Sequence, residues 1–122
     1  MGIFFGAGNS WAALSQVELA RLSKSTAPPA FVRVFLLALS RANRLGHAEL
    51  APGELARFLG NGEPILAPNV SRAVRQAVEA GFLARESRAR CLVLSSYLFQ
   101  KEGLGSSTCK VHGIKLRMAS KR

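Results

Sequence analysis

The chain has no aspartate, two histidines, two cysteines, one tryptophan and one tyrosine in 122 residues. Each scarcity removes a class of function. All seven acidic residues are glutamates scattered over separate segments. Catalysis needs convergent acids, bases and nucleophiles, so no enzyme is expected. Cys91 and Cys109 are too few for a disulfide framework and are expected to be free thiols in a reducing compartment. Long apolar runs are also missing. The run Phe31 to Leu39 is interrupted by Arg33 and is about half of the roughly 20 residues a membrane span requires. The start, MGIFFGAGNSW, has no basic region ahead of its short apolar stretch and makes a poor signal peptide. The expectation is a soluble, cytoplasmic protein with no membrane partner.

What the chain does have is positive charge. Seventeen Lys and Arg against seven Glu leave a formal +10, and the counterpart of such a surface is a polyanion. The charge is uneven: Met1 to Ala56 carries five basic and three acidic residues, whereas Arg57 to Arg122 carries twelve and four. By charge alone the partner could be DNA, RNA, an acidic protein or an anionic membrane. With 48% hydrophobic residues, the length suits one domain with a real core and is short for two.

Ser15 and Glu18 are spaced as in a capping box ahead of a short helical pattern with Val17, Leu19 and Leu22 as its apolar residues. Pro28-Pro29 then opens a helix from Ala30 to Leu45, stopped by Gly46. Its wide apolar stripe (Phe31, Val34, Phe35, Leu37, Ala38, Leu39, Ala42) predicts deep burial, with Arg33, Arg41 and Arg44 on the remaining face. A strand-like His47 to Ala51 and a short helix, Glu54 to Leu59, follow, and Gly60-Asn61-Gly62 ends that helix. The connector Gly60 to Pro68 is longer than the 3 to 4 residues of a tight helix-turn-helix.

In the next predicted helix, Asn69 to Ala80, residues Val70, Ala73, Val74, Ala77 and Val78 share one face, leaving Ser71, Arg72, Arg75, Gln76 and Glu79 on the other. A hydroxyl, two guanidiniums and an amide within two turns suit base edges and phosphates, Arg pairing with guanine and Gln with adenine. Asn69 stands where it could cap the helix or meet a phosphate. Taken alone, such a helix reads more readily as an ordinary solvated amphipathic one. Its context argues otherwise: after Gly81, the strand-like runs Phe82 to Glu86 and Arg90 to Leu94 flank Ser87-Arg88-Ala89, so that Arg85, Arg88 and Arg90 cluster at a hairpin tip.

Glu54-Leu55-Ala56, Val70-Ser71-Arg72-Ala73-Val74 and Glu79-Ala80-Gly81-Phe82-Leu83 together resemble the winged helix-turn-helix family, in particular small DNA-binding proteins of phages and plasmids from high-GC bacteria. The preference for Arg over Lys, 12 to 5, is compatible with that source. The resemblance covers Pro28 to Ser95. It implies an α+β fold, a three-helix core with a small antiparallel β-hairpin wing, flanked by an extra N-terminal helix and a C-terminal extension. It also implies base contact by Ser71, Arg72, Arg75 and Gln76, and backbone contact by Asn69 and the wing residues Arg85, Arg88 and Arg90. The expected organisation is a 1–27 extension, a 28–100 domain and a 101–122 basic extension. The expected function is sequence-specific recognition of double-stranded DNA by a homodimeric regulator, a repressor in the simplest case. Two alternatives stay open, a protein-interaction module and an RNA-binding protein.

Tyr97, Leu98 and Phe99 form an apolar cluster that either completes the core, the preferred reading, or meets a protein partner. From Cys109 to Met118, Ile114, Leu116 and Met118 alternate with Lys115 and Arg117 in a strand pattern, with a bulge or bend at Gly113. Lys110, Lys115, Arg117, Lys121 and Arg122 would supply basic tail contacts. Cys109 and His112 have a metal-like spacing, and Cys91 and His47 could complete four ligands, but no paired-cysteine signature supports this. No metal or other cofactor is therefore expected, and the two histidines read as a strand-edge and a tail residue. Gly6-Ala7-Gly8 lacks the context of a phosphate loop.

Overall fold

In the computed structural model of the chain, residues 2–102 and 108–115 are described. Among the described residues, four helices and two small antiparallel sheets form an α+β fold: α1 (Gln16–Ser23), α2 (Ala30–Arg41), β1 (His47–Glu49), α3 (Glu54–Leu59), α4 (Ala67–Glu79), β2 (Cys91–Val93), β3 (Thr108–Cys109) and β4 (Ile114–Lys115). β1 pairs with β2 in the register His47–Val93, Ala48–Leu92 and Glu49–Cys91. β3 pairs with β4 as Thr108–Lys115 and Cys109–Ile114. None of the helices among the described residues is long and apolar enough to cross a membrane.

The core follows the predicted stripes. Val34, Leu37, Ala38 and Leu39 of α2, Leu55 and Leu59 of α3, and Val70, Ala73, Val74 and Ala77 of α4 are buried together, closed by Ala48 and Leu92 of the sheet. Each large aliphatic side chain buried there contributes on the order of 1.5–3 kcal/mol. At the edge of this core, Phe82 stacks on Phe35 at 4.6 Å and on Phe31 at 5.9 Å between ring centroids. α1 starts as its capping box predicts, the Ser15 hydroxyl accepting from the Glu18 N–H at 3.2 Å. Of its three apolar residues only Leu19 is buried, and Val17 and Leu22 are exposed. The Gln16 side-chain amide donates to the Leu39 and Ala42 carbonyls and so fastens α1 to the end of α2.

Several elements differ from the sequence expectation. α2 ends at Arg41 rather than Leu45, because Ala42 turns extended and the buried Asn43 side chain accepts from the Leu45 and His47 N–H groups. Gly46, with φ +81°, makes the turn into β1; a Cβ there would come within 3.0 Å of the Leu94 carbonyl oxygen. β1 stops at Glu49, two residues short of Ala51.

Arg33, expected on the solvated face, is buried at 5% exposure. Its guanidinium donates to the Ser23 carbonyl at 3.1 Å, to Phe58 and Leu59 carbonyls at the end of α3, and to Asn61 Oδ1, and it lies over the Phe58 ring. Helix C-termini present unpaired carbonyls and partial negative charge, which explains how the core accommodates this cation.

The connector between α3 and α4 is ordered by backbone bonds. Gly62 N–H donates to the Arg57 carbonyl and Ile65 N–H to the Ala56 carbonyl, while Asn61 takes φ +56°. A Cβ on Gly60 would sit 1.7 Å from the Glu63 carbonyl oxygen, so the turn requires glycine at that position. α4 then begins at Ala67, two residues earlier than its apolar periodicity suggests, with Pro68 in its first turn.

The segment Phe82 to Glu86 is not a strand. Gly81, at φ +83°, turns the chain so that Phe82 enters the core, and only the Ala84 N–H reaches the Val93 carbonyl. The Ser87 hydroxyl takes the Val93 N–H at 2.9 Å in place of a backbone partner, and Arg88 and Cys91 close the tip by a reciprocal backbone pair. The predicted continuous strand from Cys109 likewise divides into β3 and β4, with the bend at Gly113, φ +67°. Its Leu116 to Met118 portion lies outside the described residues.

Candidate functional site

α4 presents its polar face because its apolar residues are consumed by the core. Asn69, Ser71, Arg72, Arg75 and Gln76 are all exposed. Gly81 then reverses the chain and brings the 85–89 loop beside the helix. Between them runs a groove of about 410 Å³ lined by Ser71, Arg75 and Val78 of α4 and by Arg85, Ser87 and Arg88 of the loop. The ion pairs among the described residues are Arg21–Glu18 and Arg41–Glu54. The three groove arginines therefore carry positive charge that no carboxylate in those pairs balances.

The other predicted contact residues separate from this group. Asn69 lies inside the first turn of α4 rather than at its cap, which Leu66 occupies, and its Oδ1 accepts from Arg72 Nη1 at 3.2 Å. Gln76 is exposed but is not part of the groove lining. Arg90, expected at the wing tip with Arg85 and Arg88, turns away: its Nε donates to the Leu50 carbonyl at 2.9 Å, where β1 ends. Of the tail, Lys110 is exposed in the β3–β4 turn and Lys115 belongs to β4. Arg117, Lys121 and Arg122 lie outside the described residues.

The Tyr97 to Phe99 cluster divides. Phe99 packs against the core, while Tyr97 and Leu98 are exposed at 91% and 47%. Tyr97 and Leu98 border a groove with Phe5 and Trp11, and Leu98 and Trp11 border a second, apolar one with Leu14. This patch is formed by the N-terminal segment, which Gln100 ties down through the Phe4 N–H at 2.8 Å.

The structure also assembles a group that the sequence reading set aside. His47, Cys91, Cys109 and His112 converge so that one ligand-type atom from each lies within 4.8 Å of the others. His47 and Cys91 belong to the paired strands β1 and β2; Cys109 ends β3 and His112 follows in the turn. Cys91 Sγ is 3.4 Å from His47 Nδ1 and 3.5 Å from Cys109 Sγ, which in turn is 3.4 Å from His112 Nδ1. The sulfur separation is far beyond the roughly 2.05 Å of a disulfide, so both cysteines are free thiols. Both are essentially inaccessible, and His47 is 6% exposed. His47 does open a strand, β1, but its side chain is interior.

Electrostatics in this pocket favour uncharged forms. Burial, and then the neighbouring His112, hold the His47 imidazole below its ordinary value of 6.5, against smaller opposing effects of Glu86 and Glu49. Burial, and then the hydrogen bond and charge of Cys109, push the Cys91 thiol well up. His112 Nε2 lies 2.8 Å from the Glu86 carbonyl, which can only accept, so Nε2 carries the proton and Nδ1 offers its lone pair toward Cys109. Asn43 holds two of the segments that carry this cluster. Its Oδ1 holds the His47 N–H and its Nδ2 donates to the Thr108 carbonyl at 3.0 Å.

The one local signal for this cluster was the Cys109-x-x-His112 spacing. The other two members depend on strand pairing and on docking of the β3–β4 hairpin, neither of which is encoded by local spacing. Compared with protein-family models, with curated proteins and with solved structures, the chain matches none of them.

Proposed function

We propose that the protein binds double-stranded DNA, with α4 in the major groove and the 85–89 loop against the sugar-phosphate backbone. The observation that carries this reading is the convergence of Arg75, Arg85 and Arg88 with the Ser71 hydroxyl around one open groove. Uncompensated guanidiniums on a helix and on an adjacent loop match the two tasks of a duplex reader, base-edge contact and backbone contact. The order α2, β1, α3, α4, loop, β2 is also what a winged helix-turn-helix calls for. In that reading β2 is the strand after the wing, and the wing is a short loop closed by Arg88 and Cys91 in place of a two-stranded hairpin. Ser71 and Arg75 are the principal base readers, Arg72 and Gln76 flank them, and Arg85 and Arg88 contact phosphates. A regulator, most simply a repressor, is the role this supports.

Two copies would read a palindromic site. The exposed apolar side chains Trp11, Leu14, Tyr97 and Leu98 give such a pairing a surface separate from the arginine groove. The same patch is the observation that favours a second reading, a protein-interaction module. Selection of bound sequences from a random duplex pool tests the first reading: an enriched, symmetric motif is the expected result. Equal affinity for cognate and scrambled duplexes would remove sequence specificity. Binding that ignores salt and survives loss of Arg75 and Arg88 would favour the protein partner instead.

A further inference from the structure

We infer that His47, Cys91, Cys109 and His112 form a tetrahedral structural zinc site that fastens the β3–β4 hairpin and the arginine-bearing loop to the core sheet. The inference is independent of what the groove binds.

The distances are those a single small cation requires. With Zn–S near 2.3 Å and Zn–N near 2.0–2.1 Å, a tetrahedron has edges of about 3.4 Å between nitrogens, 3.5 Å between nitrogen and sulfur, and 3.8 Å between sulfurs. Two nitrogen–sulfur separations are 3.4 Å and the sulfur–sulfur separation is 3.5 Å, and every other separation among the four ligand atoms lies within 4.8 Å, so that closure on one ion draws the longer edges in. The cage accommodates one ion and is too small for an iron–sulfur cluster. Two soft thiolates with two imidazoles select zinc among abundant divalent metals, whereas calcium and magnesium require oxygen ligands.

The surroundings argue the same way. Leu45, Val93, Ala84 and Val111 make an apolar shell around the cysteines. The imidazole nitrogens meet the sulfurs in two contacts of 3.4 Å, weak hydrogen bonds that coordination of a cation by the thiolates and imidazoles would replace with stronger bonds. On binding, Zn²⁺ displaces the two thiol protons to solvent. Two thiolates and two neutral imidazoles around the ion then leave a centre of zero net charge, which an apolar shell tolerates.

The outer contacts of a metal site are present as well. A ligating histidine ordinarily gives its second ring N–H to a carboxylate or a backbone carbonyl, fixing the tautomer. His112 does this through Nε2 to the Glu86 carbonyl at 2.8 Å, leaving Nδ1 as the ligand. Asn43 plays the corresponding part for the backbone, positioning His47 and Thr108 from one side chain. Glu86 lies between Arg85 and Arg88, so this bond connects the metal site to the loop that lines the groove.

The test is metal content and cobalt spectroscopy on the purified full chain, without DNA. The wild type is expected to carry about one zinc per chain. After zinc is removed with a chelator, added Co²⁺ should give intense visible bands of a tetrahedral centre together with thiolate-to-cobalt charge transfer. Cys109→Ser and His112→Ala, whose side chains lie outside the main helical core, should weaken Zn²⁺ binding by more than the roughly 10- to 100-fold cost of losing an outer contact. Far-ultraviolet circular dichroism checks that α1 to α4 persist in both. A wild type that neither retains zinc nor gives the tetrahedral cobalt spectrum overturns the inference, whatever the variants do. So does metal binding that both substitutions leave unchanged.

Discussion

Two faces of the same stretch of chain, residues 84–94, present opposite kinds of chemistry. Beside α4, Arg85 and Arg88 stand exposed and, among the described residues, outside every ion pair; on the side of the β3–β4 hairpin, Cys91 is sealed against His47 and Cys109. The first face concentrates charge where water still screens it, which is inexpensive for the folded protein and attractive to an anion from a distance. The second concentrates lone pairs where water is excluded, which is costly unless something binds them. The two proposed partners, a polyanion outside and a cation within, are the ones these opposite surroundings would suit. Arg33 is the useful contrast: an arginine whose three guanidinium nitrogens each find an acceptor within the chain serves the fold and calls for no ligand.

The comparison breaks most visibly if the groove arginines are reversed. Arg75→Glu combined with Arg88→Glu should lower affinity for duplex DNA about 100-fold or more at moderate salt, with melting temperature nearly unchanged. Fluorescence anisotropy beside thermal denaturation measures both, and retained affinity would remove the groove from the binding surface.

Arg33→Met should do the reverse. Carbonyls of Ser23, Phe58 and Leu59 lose their donor in the interior, and stability in urea should fall by about 2–3 kcal/mol. The affinity of the remaining folded protein should be preserved.

Single truncations sharpen the division within the groove. Arg75→Ala is expected to cost about 1–3 kcal/mol on the preferred sequence and much less on others, as befits a base contact. Arg72→Ala falls in the same range. Arg88→Ala should weaken all sequences alike and reduce the slope of log affinity against log salt by about one. Arg90→Ala, despite lying two residues away, should leave both slope and specificity nearly intact, because its guanidinium is engaged at Leu50. A salt slope that fell equally for Arg88→Ala and Arg90→Ala would show that the loop alone does not set the contact.

The smallest expected effect lies at the start of α3. Burial raises the Glu54 carboxyl, but hydrogen bonds from Arg41 and from the Ala51 N–H outweigh this, and the net value is below the ordinary 4.5. A carboxylate depressed in this way stabilises the fold above its unfolded value, and the contribution is lost as pH falls through the folded one. The difference between wild type and Glu54→Gln should thus be full at pH 7, begin to shrink as pH falls past the ordinary 4.5, and vanish only below the depressed folded value. For a pair this exposed it should be no more than about 1 kcal/mol.

Local pattern made some of this legible in advance and long-range closure hid the rest. α3 was readable residue for residue, and the buried face of α4 followed from Val70, Ala73, Val74 and Ala77, because helical period is a property of neighbouring residues. The failures share a cause. Arg33 looked solvated because its carbonyl partners come from Ser23 and from the end of α3, 10 to 26 residues away. Phe82 to Glu86 looked like a strand because Phe82 and Leu83 are apolar, yet the aromatic is drawn to Phe35 and Phe31 instead of a sheet face. Arg90 was grouped with Arg88 by adjacency, although the reciprocal Arg88–Cys91 bonds turn the chain between them. The Cys/His cluster needed contacts spanning 18 and 44 positions, and no local spacing announces these.

The dependence of that cluster on Cys109 and His112 also sets an order of events during synthesis. The residues of α2, α3, α4 and the β1–β2 pair all precede the hairpin, so a growing chain can assemble its helical core while His47 and Cys91 still form only half a pocket. The last contacts close when the hairpin arrives and Asn43 takes hold of Thr108. Until then Cys91 has neither its thiol neighbour nor its cover, and a nascent chain is most exposed to oxidation or to a wrong metal during that interval.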